Sequence, residues 1–499
     1  MTDPDLGSAA LSQLPNRLDT YRYSVTLLLM LAYTLNCADR TLIAIIGQPL
    51  KLDLQLSDTE FGLLVGTAFA ALYAFSGIPI ARLAERFNRV NILFLVMIAW
   101  SALTALCATA VGFTQLLFLR MGVGVAEAGC SPPAHSLISD YFEPRQRATA
   151  LSIYSCGISL GYILSAVAGG YVAERYGWRA ACIVVGLPGV VLAVLIRGVI
   201  REPPREQAPR ARAASRQPSR VARELHQLAA VIRVLVLRWC VANFVLGVTI
   251  ASFASQGAWA FIPAYFNRAF GLDYATIGFI AALTGGVAVG IGLMAGGLIA
   301  DLLGGRNTRW YAFVPAIGLL ICTPIYVGAF LQANWQMTAI LLGVAGFFQY
   351  LSFGPTFGVV QNVVGARQRA TATALIYVVL NVVALGGGAL FTGWLIDRFA
   401  EFNFRHPPAN ALIGYLDALR HSSIAGGSRF RAACPGGQAL AAASGAAHAL
   451  CRTTLSLSSR EGILITVLLY TWAAIHYLLG AIGLGSELRA AKLRDAVLA

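Results

Sequence analysis

The chain has 499 residues and a formal charge of +14, yet only 12% of its residues are charged and 57% are hydrophobic, with a mean hydropathy of +0.68. A water-soluble chain carries roughly a quarter charged residues, so this composition excludes a cytosolic enzyme and a disordered scaffold and makes lipid the main solvent. The basic residues sit in short segments between apolar runs and build no Arg/Lys face with base-reading motifs, so no nucleic-acid partner is expected.

A helix needs about 20 largely apolar residues to cross the hydrocarbon core. After a polar tail at 1–22, such runs occur near 23–49, 61–81, 91–111, 114–138, 148–170 and 180–197. The first carries Asp39 and Arg40 at its middle, which no cleavable signal does, so it is read as a retained span. A basic linker at 198–238 follows, with Pro203, Pro204, Pro209 and Pro218, and is read as a tether or as a segment lying on anionic headgroups. Further runs lie near 239–265, 275–300, 311–331, 336–360 and 370–396, then an insertion at 397–462, a last run at 463–485 and a tail at 486–499. The expected fold is all-α and integral to the membrane, with twelve transmembrane helices in two six-helix halves, 23–197 and 239–485.

Short connections on the linker side carry Arg82, Arg86, Arg89, Arg145, Arg147, Arg306, Arg309, Arg367 and Arg369, while those on the other side carry only Lys51, Arg175, Arg179 and Arg268. The positive-inside rule therefore puts both termini and the linker in the cytoplasm, in a plasma (inner) membrane protein. Seven of the nine cysteines fall in or at the ends of spans; Cys434 and Cys451 lie in the outer insertion, where an oxidising exterior lets them pair.

The chain also repeats itself. At an offset of 216, Leu56 falls on Leu272, Gly62 on Gly278 and Glu85 on Asp301; at 222, Gly124 falls on Gly346, Pro133 on Pro355, and Arg145-Gln146-Arg147-Ala148-Thr149 on an identical Arg367-Gln368-Arg369-Ala370-Thr371. Two parallel six-helix repeats joined by a basic linker describe a secondary transporter with its site between the halves near the midplane. The loop Ala81-Arg82-Leu83-Ala84-Glu85-Arg86-Phe87-Asn88-Arg89 and its second copy, Gly297 to Asp301 with Gly305-Arg306, resemble the signature of the major facilitator superfamily, although Ala81, Glu85 and Asn88 depart from its commonest form. The fourth span, Arg120-Met121-Gly122-Val123-Gly124-Val125-Ala126-Glu127-Ala128-Gly129-Cys130-Ser131-Pro132-Pro133, with Asn36, Asp39 and Arg40 in the first and Trp259 with Pro263 in the seventh, resembles the spinster branch. That resemblance covers both halves but not the 397–462 insertion.

Ionisable groups at mid-membrane are costly and mark ion or substrate paths. The twelve runs contain only Asp39, Arg40, Arg120 and Glu127, plus His135 and His476. Asn36, Asp39 and Arg40 share one face of the first span, and Arg120 lies two turns from Glu127 on one face of the fourth. Asp39 is expected to accept the coupling proton and Glu127 to be a second titrating or network-setting carboxylate; the spinster resemblance implies the same roles for a first-span acid and a fourth-span Arg and Glu. Arg40 and Arg120, with Asn36, are expected to hold an anionic group.

The second half offers Gln256, Trp259, Gln349, Tyr350, Tyr377 and Asn381, apolar bodies with polar tips. A cavity charged on one wall and aromatic on the other suits an amphiphile with an anionic head, and the resemblance implies lysophospholipids or sphingosine phosphates. A small organic anion or a drug stays open as an alternative cargo, and a non-transporting receptor or scaffold as a remote one. Glu85, Arg86, Arg89, Arg147, Asp301, Arg306 and Arg369, at the linker-side ends of helices, are expected to tune the rocking of the halves.

Pro132, Pro133 and Pro355 are expected to bend their helices, and Gly157, Gly161, Gly285, Gly286 and Gly386 to Gly388 to allow close helix contact. His135 and His476 lack partners at metal spacing and no phosphate-cradling loop is present, so no metal, cofactor or ATP is expected and an ion gradient drives the cycle. No catalytic triad is recognisable around Ser131, His135 and Ser136, and the chain is expected to be no enzyme and to work as a monomer.

Overall fold

A computed structural model describes residues 14–143, 146–203, 220–364, 368–405 and 429–498. Among the described residues every regular element is a helix, as lipid demands of a chain that must satisfy its own backbone polar groups. Ten helices are long and apolar enough to cross a bilayer. One of them, Thr149–Val199, changes direction at Gly177, where φ is +82°, and supplies the fifth and sixth spans. The fourth is built from two pieces, Phe113–Glu127 and Ser131–Tyr141. The pieces make up twelve spans in two sets of six.

The break in the fourth span precedes Pro132 and Pro133 by four residues, because a proline ring clashes with the carbonyl one turn back. The tenth span breaks in the same way between Trp335–Tyr350 and Phe353–Val363, four residues before Pro355. Glu127 and Gln349 each stand at the lip of such a break.

The span boundaries differ most from the sequence reading at the eleventh and twelfth spans. The eleventh span continues to Arg405 and the twelfth begins at Gly445, capped by the Ser444 side chain, and ends at Gly480. Arg452, Arg460 and Glu461 lower the hydropathy of the stretch before 463 without breaking its helix, which is why the span reads too short in sequence. The expected insertion therefore contracts; 406–428 lies outside the described residues, as do 1–13 and the 204–219 part of the linker. The rest of the linker is largely one helix, Arg220–Leu237.

The halves meet at the face away from the termini. The second span, Asp58–Ala84, crosses the eleventh, and the fifth crosses the eighth, Tyr274–Gly304. A Cβ at Gly62 would overlap the Ala389 carbonyl oxygen, and one at Gly278 the Ala166 carbonyl oxygen. Gly393 meets the Asp58 carbonyl and Gly170 the Tyr274 carbonyl as closely. These contacts repeat at nearly constant offsets, so the duplication noted in sequence is a two-fold arrangement in space. Single π-helical turns, Ser165–Gly169, Ala282–Ala288 and Leu380–Leu385, sit beside the crossings.

Overpacking a tight helix crossing costs about 1–3 kcal/mol. Gly278→Val is therefore expected to lower the thermal midpoint of the detergent-solubilised protein by several degrees. Gly297→Val, where a Cβ meets nothing within 4 Å, should leave it unchanged, and equal midpoints for the two variants would refute the close-contact role.

Candidate functional site

The first and fourth spans bring Asn36, Asp39, Arg40, Arg120 and Glu127 together in one network. Arg40 donates from Nε to Glu127 Oε2 at 2.6 Å and from a terminal nitrogen to Asn36 Oδ1 at 2.9 Å. Its guanidinium lies 4.4 Å from the Tyr73 ring centroid and 5.1 Å from that of Phe69, within the range of a cation–π contact. Arg120 pairs with Asp39 at 3.4 Å and faces Phe69 at 5.4 Å. Thr104 donates a short hydrogen bond to the second Asp39 oxygen.

Exposure separates the two arginines. Arg40 is 25% exposed, whereas Arg120, Asp39 and Glu127 are at 1%, 2% and 0%. Arg40 is thus the cation available to a solute. Glu127 Oε1, Arg120 Nε and the Asn36 amide nitrogen are buried without a partner among the described residues, which leaves hydrogen-bonding capacity for a second arrangement of the same charges.

Gln256, Gln349, Tyr350, Tyr377 and Asn381 line one cavity of about 210 Å³ in the second half, with Ser252 and Ser255. Gln349 Oε1 accepts from the Tyr326 hydroxyl at 2.6 Å, and Asn381 donates to the Tyr377 carbonyl at 2.8 Å. Tyr377 stacks on Phe357, 5.2 Å between centroids. Trp259 does not line this cavity; it meets Tyr162 of the other half edge-on at 6.4 Å, with Nε1 buried and unpartnered among the described residues. His135 packs against the Tyr154 ring and His476 hydrogen-bonds Asn243 at 2.9 Å, so both sit in structural contacts.

The linker-side residues expected to gate pair within their own halves. Arg89 binds Asp140, Ser136 at 2.7 Å and Glu202 at 2.7 Å. Arg147 donates to the Phe142 carbonyl at 3.1 Å, and Asp301 accepts from Tyr311 at 3.1 Å. Arg86 and Arg306 are exposed, and the side chains of Glu85 and Arg369 lie outside the described residues.

The cross-half ionic contacts lie at the opposite face, among residues that the sequence reading used as topology markers or passed over. Asp58 is fully buried and pairs with Lys51 and with Arg268 of the seventh span, both at 2.6 Å. Arg268 also donates to Gln48 and to Ser459 of the twelfth span, each at 2.7 Å. Asp397 of the eleventh span accepts from the backbone N–H of Asp58 at 2.9 Å and of Thr59 at 2.7 Å, capping the second span from the other half. Glu174 of the fifth span caps the eighth in the same way, accepting from the Tyr274 N–H at 2.8 Å. Burial pulls the Lys51 ammonium below the usual lysine range, against the opposing pull of Asp58.

Sequence reasoning missed this lock because Asp58 and Asp397 fall one to three residues outside the hydropathy boundaries of their spans. The expectation that the second half carries no intramembrane charge but His476 is corrected accordingly: Arg268, Asp397 and Glu461 all lie on span helices. Above the lock, Cys434 and Cys451 form a disulfide. The segment it anchors reaches the first half through Arg431, paired with Glu60 at 2.8 Å, and the second through Glu401, which accepts from the Phe430 N–H at 2.9 Å.

The profile of the Major Facilitator Superfamily matches residues 29–388. An MFS-type efflux pump of Mycolicibacterium smegmatis is 30% identical over 75% of this chain and 84% of its own length. Protein spinster homolog 1 of Xenopus tropicalis is 27% identical over 77% of this chain and 74% of its own. Among solved structures, a bacterial homolog of the human lysosomal transporter Spinster, in an inward-facing and unoccupied conformation, superposes with a TM-score of 0.77 at 28% identity, covering 94% of this chain and 98% of the other.

Removing one partner of a buried ion pair costs about 3–5 kcal/mol, because the other charge is left uncompensated. Asp58→Asn strands Lys51 and Arg268 only while the halves are closed at this face. The variant is expected to raise the labelling rate of a cysteine placed at Ser459 by at least tenfold with a membrane-impermeant maleimide, and an unchanged rate would count against the lock.

Proposed function

Because the chain belongs to the major facilitator superfamily, we propose that it is a proton-coupled secondary transporter that carries an amphipathic organic anion, of the lysophospholipid or sphingosine-phosphate kind, by alternating access. The observation that carries this reading is the network itself: four charges summing to zero, three of them buried and only Arg40 partly exposed. The wall across the cleft is uncharged and rich in aromatic and amide groups.

The proposed cycle uses only these residues. Protonating Asp39 weakens its hold on Arg120. Arg120 then turns its unpartnered Nε toward the unpartnered Oε1 of Glu127, two turns along the same helix face. Glu127 shares its charge between two arginines, Arg40 loosens, and the cavity is one charge more positive. An anion binds where that charge appears, so proton and anion move together. Glu127 sets the network, and its own protonation frees Arg40 directly.

Closure at the Asp58 lock leaves the cleft accessible from the side of the termini, proposed from the arginine distribution to be the cytoplasmic side. Arg86, Arg89, Arg147, Asp301 and Arg306, with Glu85 and Arg369, are proposed to meet across the halves when that side closes. The protein is proposed to act as a monomer in the plasma membrane. A second reading, transport of a small organic anion or drug on the same network, is favoured by the 30% identity to an efflux pump and by the polar lining of the second half.

Liposomes with an internal pH dye test both readings. Lysophosphatidate is expected to drive proton movement through the native protein, and Asp39→Asn to abolish it while leaving anion exchange at a measurable rate. A response to small anions alone would select the second reading. Proton movement unchanged in Asp39→Asn would return Asp39 to a purely structural pairing.

A further inference from the structure

The duplicated halves differ at the positions of the ionic network. At the repeat offset of 216, Asp39 and Arg40 correspond to Ser255 and Gln256; at 222, Glu127 corresponds to Gln349. All three counterparts line the cavity of the second half, and no charged residue does. The wall opposite the ionic network is thus its uncharged twin, with amides and hydroxyls at the equivalent positions.

Those groups satisfy one another only in part and keep hydrogen-bonding capacity facing the cavity. Tyr326 occupies the Gln349 carbonyl oxygen, which leaves the amide N–H₂ of a buried side chain as a donor with no protein partner among the described residues. Asn381 spends its amide nitrogen on the Tyr377 carbonyl, which leaves its Oδ1 as an acceptor. Gln256 is exposed to the cleft and makes no protein hydrogen bond among the described residues. A donor and an acceptor lining one small cavity suit a group that both donates and accepts, and a hydroxyl is the simplest such group.

We propose that this wall is a second recognition subsite, for a hydroxyl group carried by the same anion whose charge rests on Arg40, so that the cargo is a hydroxylated organic anion rather than a plain alkyl anion. The inference rests on the anion reading above and narrows it. A site built to hydrogen-bond a hydroxyl discriminates against an analogue lacking one, because its own polar groups are left unpaired once the ligand has displaced water. An apolar wall would rank the two analogues the other way, since the hydroxyl would be desolvated without return.

The test uses two matched pairs of probes on the full chain in detergent, followed by tryptophan fluorescence: mandelate against phenylacetate, and lysophosphatidate against hexadecyl phosphate. The hydroxylated member of each pair is expected to bind about tenfold or more tightly. In Gln349→Leu that preference should collapse toward unity while the anion still binds. Asn381→Leu, at a position on the cavity wall that is only partly buried, should give the same collapse. Arg40→Ala should weaken both members of each pair equally and keep their ratio. Equal affinities in the native protein, or a ratio unchanged in both leucine variants, would overturn the hydroxyl subsite and leave the anion reading standing. Binding of neither pair, or binding indifferent to Arg40→Ala, would overturn the anion reading and the subsite with it.

Discussion

The incomplete hold of Glu127 on Arg40 is the interaction on which the rest of the cleft depends. A fully buried arginine would be a structural ion pair, and a fully exposed one would be a surface charge screened by water. Arg40 is neither: its Nε lies against a carboxylate with no exposure, its flank rests on Tyr73 and Phe69, and a quarter of it faces the cleft. In the proposed cycle one proton loosens the pair without leaving a bare charge in lipid, because Arg120 and Asp39 form a second pair beside it. Phe69 sits within 5.4 Å of both guanidiniums and keeps the two pairs adjacent.

The opposite face obeys the same electrostatic constraint with a different outcome. Lys51, Asp58, Arg268 and Asp397 also sum to zero, but they come from both halves, and both of their cations are buried against Asp58. The Asp397 carboxylate is bound by the backbone N–H groups of Asp58 and Thr59, so the first turn of the second span, which Ser57 and Glu60 cap from its own half, gains two further bonds only while the halves are together. Asp397 and Glu174 do this for the second and eighth spans in turn. Opening that face must therefore break the cross-half bonds to two helix N-termini, which keep their own caps Ser57 and Asp273, and separate one buried charge cluster at once, which makes the transition cooperative rather than gradual. Glycine at each crossing brings the backbones close enough for those caps to reach.

Much of this was legible in the sequence. Twelve spans, the duplication and the four-charge network follow from hydropathy, a fixed offset and the rarity of charge inside apolar runs. The bends at Glu127 and Gln349 follow from Pro132, Pro133 and Pro355. What hid the lock was its position: Asp58 and Asp397 stand at helix ends, where a hydropathy window cannot tell a buried carboxylate from a solvated one. Thr104, Phe69 and Tyr73 were hidden for another reason. On apolar helices such residues are ordinary, and only the three-dimensional approach of the third and second spans makes them partners of Asp39 and Arg40. The linker-side arginines show the converse: their motif is plain in sequence, yet Arg89 and Asp301 are occupied inside their own halves in this conformation.

The asymmetry of the duplicated unit has a physical reason. Had both halves kept Asp, Arg and Glu at the matching positions, two charged walls would face each other across a cleft that closes in every cycle. Each closure would either desolvate unpaired ions, at several kcal/mol apiece, or pair them across the halves and resist reopening. Ser255, Gln256 and Gln349 keep the geometry of hydrogen bonding without that penalty, since an amide or hydroxyl loses far less than an ion when water leaves. In the proposed cycle, charge on one wall supplies attraction for an anion and a handle for a proton. Neutral polarity on the other supplies discrimination while the halves remain free to part.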